Sequence, residues 1–263
     1  MQFAAAWQAY VETHPWDVNL LDIDDQTFEI VVAVSSEPLP ALASAFSDWL
    51  SSLRAALDNA LYAWAAEISG FDPPPAADKL QFPIACTPSD FKRQSNRLKT
   101  LPETVFAKLE MAQPYQSPYG LESNLLFWLH ELARTDRHRT LHVSLGRVAV
   151  HKVGIEYPKE ISIAFDESVE PYDFIDRKLV IARFTTSRPV DAARIRFNPG
   201  IEIDPEIREW EGFRLDGRKQ SLWDRMFYTQ VYMRNHVEDM AHAAGITPRG
   251  GFRTFALDET TTD

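Results

Sequence analysis

Apolar residues recur every three or four positions in some stretches of the chain and alternate with polar ones in others, and the changeovers divide it into elements. Phe3, Trp7 and Tyr10 mark one face of a short helix over residues 3–13, which His14-Pro15 ends. Residues 18–24 and 27–34 are rich in β-formers and are joined at Asp24-Asp25-Gln26, which predicts a hairpin. The strongest helical pattern covers 39–68, where Phe46, Leu50, Leu53, Leu57, Leu61 and Trp64 advance by four or three and so define a core-facing stripe. Gly70 and the run Pro73-Pro74-Pro75 stop it.

An ordered, Pro-rich loop over 71–88 is followed by two shorter helices over 89–97 and 102–111, with Ser89 and Thr100 as N-terminal caps. After Gln113-Pro114-Tyr115 breaks the pattern, a second long helix is predicted over 121–141, with Leu125, Leu129, Leu132 and Thr135 along one side. The period then changes. Residues 142–153, 160–166, 178–186 and 194–203 read as strands of an antiparallel sheet or small sandwich. A last helix over 222–244 offers Trp223, Phe227, Val231, Val237 and Met240 for burial and stops at Gly245. The expectation is an α+β protein: an N-terminal helical bundle with a small β-hairpin, then an antiparallel β unit and a closing C-terminal helix. Residues 1–141 are then mainly helical, 142–247 hold the β unit and closing helix, and 248–263 form a flexible tail; the length is also compatible with one compact domain.

Composition narrows the function classes. Of 263 residues, 45% are hydrophobic and 25% charged, with one cysteine, which fits an ordinary globular chain and excludes disordered, collagen-like and disulfide-scaffold classes. No run approaches the length of a membrane span, and the N-terminus lacks the basic start of a signal peptide, so no membrane association and a cytoplasmic location are expected. The lone Cys86 agrees with a reducing compartment. The net charge of −11 argues against a protein that tracks long nucleic acid. Charge is nevertheless uneven: residues 1–60 hold one basic residue, Arg54, against nine acidic ones, whereas 131–200 hold twelve basic against ten acidic. A local anion site in the middle of the chain remains open.

That middle carries the densest polar stretch, from His130-Glu131 to His142. His-Glu-x-x-His on a helix would hold a metal, but the second histidine position is Arg134, which rejects that reading. His138 and His142 are four apart, yet they lack a third ligand and stand among arginines that repel a cation. Phosphate-binding glycine loops are absent, and no metal or cofactor is expected. Asp22, Asp24 and Asp25 read as turn residues and Cys86 as a small buried residue. The basic environment suits metal-free RNA chemistry, in which imidazole handles the proton of a 2′-hydroxyl and guanidinium stabilises phosphate charge. The alternative is structural: Arg134, Arg137 and Arg139 surround Asp136, and on the other long helix Arg54 could pair with Asp136 and Asp58 with Arg139 in an ion-pair network.

Arg137-His138-x-x-x-His142 resembles the Arg-polar-x-x-x-His signature of HEPN-domain ribonucleases, which are small helical bundles. The resemblance implies a homodimer with a composite site, where Arg137 binds phosphate, His138 fills the polar position and His142 is catalytic. Arg54, Asp58, Asp136 and Arg139 would then contribute to substrate binding, with RNA or another phosphate-bearing ligand as partner. A wider resemblance spans residues 45–245. Leu53-Arg54-Ala55-Ala56-Leu57-Asp58, Phe82-Pro83-Ile84, Gln113-Pro114-Tyr115 and Asp136-Arg137-His138-Arg139 follow the order of motifs in an abundant group of uncharacterised bacterial proteins. Asn59 stands where those proteins have His, and Arg137 where they have Lys. That family implies no particular activity. A binding or assembly module without chemistry is the second functional expectation.

Overall fold

A computed structural model describes residues 2–37, 40–99, 101–138, 143–173, 175, 177–211, 213–215 and 218–246. It is an α+β protein with six helices and antiparallel sheets among the described residues. The expected tail falls on residues outside this description.

Helix α1, Gln2–Val11, buries Phe3, Trp7 and Tyr10 as the spacing predicts. The Tyr10 hydroxyl donates to the Ser36 carbonyl at 2.8 Å, and burial pushes its phenol up to about 12. Strands β1, Trp16–Asp22, and β2, Thr27–Val34, form the hairpin. Asp24 serves the turn, its Oδ1 accepting from the N–H groups of Gln26 and Thr27 at 2.9 and 2.7 Å. Helix α2, Pro40–Ser69, is long enough at 30 residues to cross the molecule, and its stripe is buried except for the half-buried Leu53. Gly70 ends it at φ 71°, a left-handed conformation that suits glycine.

The shorter helices are α3, Pro88–Ser95, and α4, Glu103–Met111. Thr87 rather than Ser89 caps α3, accepting from the Asp90 N–H at 3.2 Å, because Pro88 at the first helical position brings the helix start forward. Thr100 lies outside the described residues, and Pro102 occupies the cap position of α4. Helix α5 is described over Leu125–His138; residues Leu121–Ser123 form a 3₁₀ turn instead of its expected start. Asn124 sets the boundary, its Oδ1 accepting from the Leu126 N–H at 2.8 Å.

The remaining strands are β3, Val143–Glu156; β4, Ile163–Phe165; β5, Lys178–Thr186; β6, Arg196–Ile207; and the short pair β7, Arg214–Leu215, and β8, Arg218–Lys219. They do not build one separate sheet. β5 pairs with β2, giving a four-stranded order β1-β2-β5-β4 that ties the early hairpin to the late strands. β3 pairs with β6 from Val143↔Ile207 to Glu156↔Arg196. Where that register slips, a Cβ on Gly146 would sit 1.0 Å from the Asp204 carbonyl oxygen, so the close backbone approach excludes any side chain there.

Helix α6, Leu222–Ala243, packs on α2, α4 and β6. It turns Leu222, Arg225, Met226, Thr229 and Met233 inward, while Phe227 is 47% exposed and Trp223, Val231 and Val237 are half-buried. Met240 is buried as expected, but the rest of the expected face is rotated. Arg225 takes a core position because the Glu206 carboxylate and the Trp210 carbonyl receive its donors. One buried apolar cluster runs from Phe3 to Ala241, and Phe46, Trp49 and Trp210 meet at ring distances of 5.2 to 6.1 Å where α2 faces the turn after β6.

Candidate functional site

Side chains of Arg54, Asp58, Gln94 and Gln113 converge on one stretch of backbone, Phe82-Pro83-Ile84-Ala85. Arg54 and Asp58, four apart on α2, share a face and pair at 3.4 Å. Arg54 Nη2 donates to the Phe82 carbonyl at 2.6 Å, and the Phe82 N–H donates to Asp58 Oδ1 at 2.8 Å. The fully buried Gln113 grips the other end: its Oε1 accepts from the Ala85 N–H at 2.8 Å, and its Nε2 donates to the carbonyls of Pro83 and Leu109 at 3.1 and 2.7 Å. Gln94 Nε2 adds a bond to the Ile84 carbonyl at 3.1 Å. Four side chains from two helices and a turn thus fix a loop that has no ladder of its own, giving partners to the Phe82 and Ala85 N–H groups and to the carbonyls of Phe82, Pro83 and Ile84.

Above this loop lies a cleft of about 560 Å³ between α2, α5 and the α3 segment. From α2 it receives Arg54 and Asp58; from α3 and the turn after it, Arg93, Gln94 and Arg97; from α5, His130, Ala133, Asp136 and Arg137. His130, Ala133 and Arg137 share the cleft side of α5, since seven residues make about two turns. Arg134 does not line the cleft and pairs with Glu131 at 2.6 Å. The expected pairing of Arg54 with Asp136 is replaced: Arg54 is held by Asp58 and Phe82, and Asp136 accepts from the Ser47 hydroxyl. The side chain of His138 and all of Arg139 and His142 lie outside the described residues, and with them the expected Asp58–Arg139 pair. Arg54, Asp58, Asp136 and Arg137 are the expected site residues that come together.

The cleft holds four guanidinium groups, on Arg54, Arg93, Arg97 and Arg137, against the carboxylates of Asp58 and Asp136. Arg54 pairs with Asp58 and Arg93 with Asp90. Arg97 and Arg137 have no carboxylate within ion-pair distance among the described residues; Arg137 donates Nε to the Ala133 carbonyl at 3.2 Å. Burial depresses the Arg54 pKa, the Asp58 charge offsets this, and the Arg137 charge adds to the depression. His130 is also pushed below the ordinary histidine range, first by burial; Glu131 opposes this, and Arg54, Arg137 and Arg134 reinforce it. Its imidazole is therefore neutral at pH 7. Burial raises the nearby Cys86 thiol, with Glu131 and Asp90 acting in the same direction, which leaves it protonated and a poor nucleophile.

Among the described residues, no group of three or more His, Cys, Asp or Glu side chains could hold a metal ion, and no helix is long and apolar enough to cross a membrane. Comparison of the chain with protein-family models, with curated proteins and with solved structures returns no match. Sequence reasoning passed over Arg93 and Arg97 and weighed His130 only as a metal ligand. Their signal was spacing: Arg93 and Arg97 stand four apart, and His130 stands seven before Arg137.

Proposed function

We propose that this protein binds a phosphate-bearing ligand, with RNA as the ligand class, in the cleft between α2, α3 and α5, and that it acts there without a metal. The observation that carries the reading is the pair of guanidiniums, Arg97 and Arg137, that line one cleft with no carboxylate within ion-pair distance among the described residues, in a chain whose net charge is −11. An arginine that meets no carboxylate of its own protein is ready for the bidentate contact that phosphate oxygens offer. The structural alternative accounts for Arg54 and Asp58, which clamp the Phe82 backbone, but among the described residues it gives Arg97 and Arg137 no carboxylate to hold.

Fluorescence anisotropy with a short labelled single-stranded RNA tests this reading in the parent, Arg97→Ala, Arg137→Ala and the double variant, each shown by circular dichroism to be folded. Each substitution should weaken binding and flatten its dependence on salt, with a slope smaller by about one per phosphate contact removed. A parent that ignores RNA, or a double variant that binds as the parent does, would overturn the reading.

A further inference from the structure

We infer that His130, rather than a histidine beyond the described end of α5, is the proton-accepting group of a metal-free RNA cleavage in this cleft. The inference rests on the reading of the cleft as an RNA phosphate site and adds the reaction and its catalytic residue.

Three observations carry it. His130 lines the same cleft as Arg97 and Arg137. Its backbone lies two turns from that of Arg137, about 10 Å along the axis. The Arg137 side chain closes part of that gap, because its Nε donates to Ala133, one turn back toward His130. Between them on the cleft side stands Ala133, whose side chain is a single methyl group. Finally, no protein group hydrogen-bonds to the His130 ring among the described residues, so both nitrogens can meet a ligand. His151 and His236, the other buried-side histidines, face a different groove and the Tyr232 ring.

The chemistry balances without a co-reactant. With a phosphodiester held by Arg97 and Arg137, the ribose 2′-hydroxyl gives its proton to the neutral ring of His130 as its oxygen bonds to phosphorus. The bond from phosphorus to O5′ breaks, its electron pair stays on O5′, and O5′ takes a proton from water. His130 then releases its proton to solvent. The products are a 2′,3′-cyclic phosphate and a 5′-hydroxyl, and the guanidiniums meet the extra negative charge of the five-coordinate phosphorus.

The groups around the ring bear on the pH dependence: Glu131, Arg134, Asp136 and Arg137 on α5, Arg54 and Asp58 on α2, and Arg93 and Arg97 from the α3 segment. Burial, reinforced by Arg54, Arg137 and Arg134 against Glu131, depresses the ring, so the acid limb of the rate profile should lie below the ordinary histidine pKa of about 6.5 and the rate should be flat through neutrality.

The test uses the full chain in EDTA with two labelled RNAs, one fully ribose and one with a single 2′-deoxy position at the cut. The parent should cut the first to a cyclic-phosphate end and leave the second intact at that position while binding both. His130→Ala and His130→Gln should bind RNA as the parent does and lose roughly 10²- to 10⁴-fold in rate, the usual range for a proton-transfer group. Added imidazole should restore part of the rate to His130→Ala, which a merely structural role would not permit. Parent-like cleavage by a folded His130→Gln, or a parent that binds RNA and leaves it uncut, overturns the assignment while the binding reading stands. A parent that does not bind RNA removes both.

Discussion

Arg225 on α6 is committed to its own protein, whereas Arg137 on α5 is not. Arg225 is 1% exposed; it meets the Glu206 carboxylate, donates to the Trp210 carbonyl at 2.6 Å and lies 5.1 Å over the Trp210 ring. Arg137 uses one donor on a helix carbonyl and lines the cleft. A fully buried ion pair stands elsewhere, at Glu206 and Arg225 in the core. A buried charge persists only when nearly every donor is satisfied, so the unsatisfied cations collect where an outside partner can reach them.

Breaking the two sites separately should expose this contrast. The largest effect is expected at the core pair: Arg225→Ala leaves the Glu206 carboxylate buried alone and should cost about 3–5 kcal/mol in urea unfolding, whereas Glu206→Leu with Arg225→Met should recover most of that loss. Next comes the loop clamp. Gln113→Leu strands the Ala85 N–H and two carbonyls, for a loss of about 1–3 kcal/mol, and weakens RNA binding through the loop that floors the cleft.

A smaller effect follows from the histidines. His130, His151 and His236 are all depressed by burial, so each contributes stability that is complete above the unfolded histidine pKa of about 6.5 and is lost as pH falls through the folded values. Urea midpoints should therefore drop on acidification from pH 7, and the drop should be shallower in His130→Gln. The smallest change in stability belongs to Arg97→Ala and Arg137→Ala, each within about 0.5 kcal/mol of the parent, although these variants should lose the most RNA binding.

Helix existence and the buried stripe of α2 were legible because amphipathic period is a local property, visible in Phe46, Leu50, Leu57 and Leu61. The face of α6 was not, since Arg225 and Thr229 occupy core positions that a hydrophobic count assigns elsewhere, and only tertiary acceptors make those positions tolerable. The pairing of β2 with β5 was hidden for a related reason: alternation announces a strand but does not name its neighbour. At the site, the four-residue spacing of Arg54 and Asp58 was readable, whereas their common target is a backbone carbonyl and N–H at Phe82, groups that every residue carries and no motif marks.

The β2–β5 pairing also bears on how the chain is born. Glu29 and Arg183 meet across that seam although 154 positions separate them. A ribosome adding about 5–20 residues each second leaves the outer edge of β2 waiting roughly 8–30 s for its partner. Throughout that interval Phe28, Ile30 and Val32 belong to an unfinished sheet with an open edge, the kind of surface that recruits other nascent chains. Yield in the cell should accordingly depend on chaperones that shield the hairpin until translation has passed Thr186.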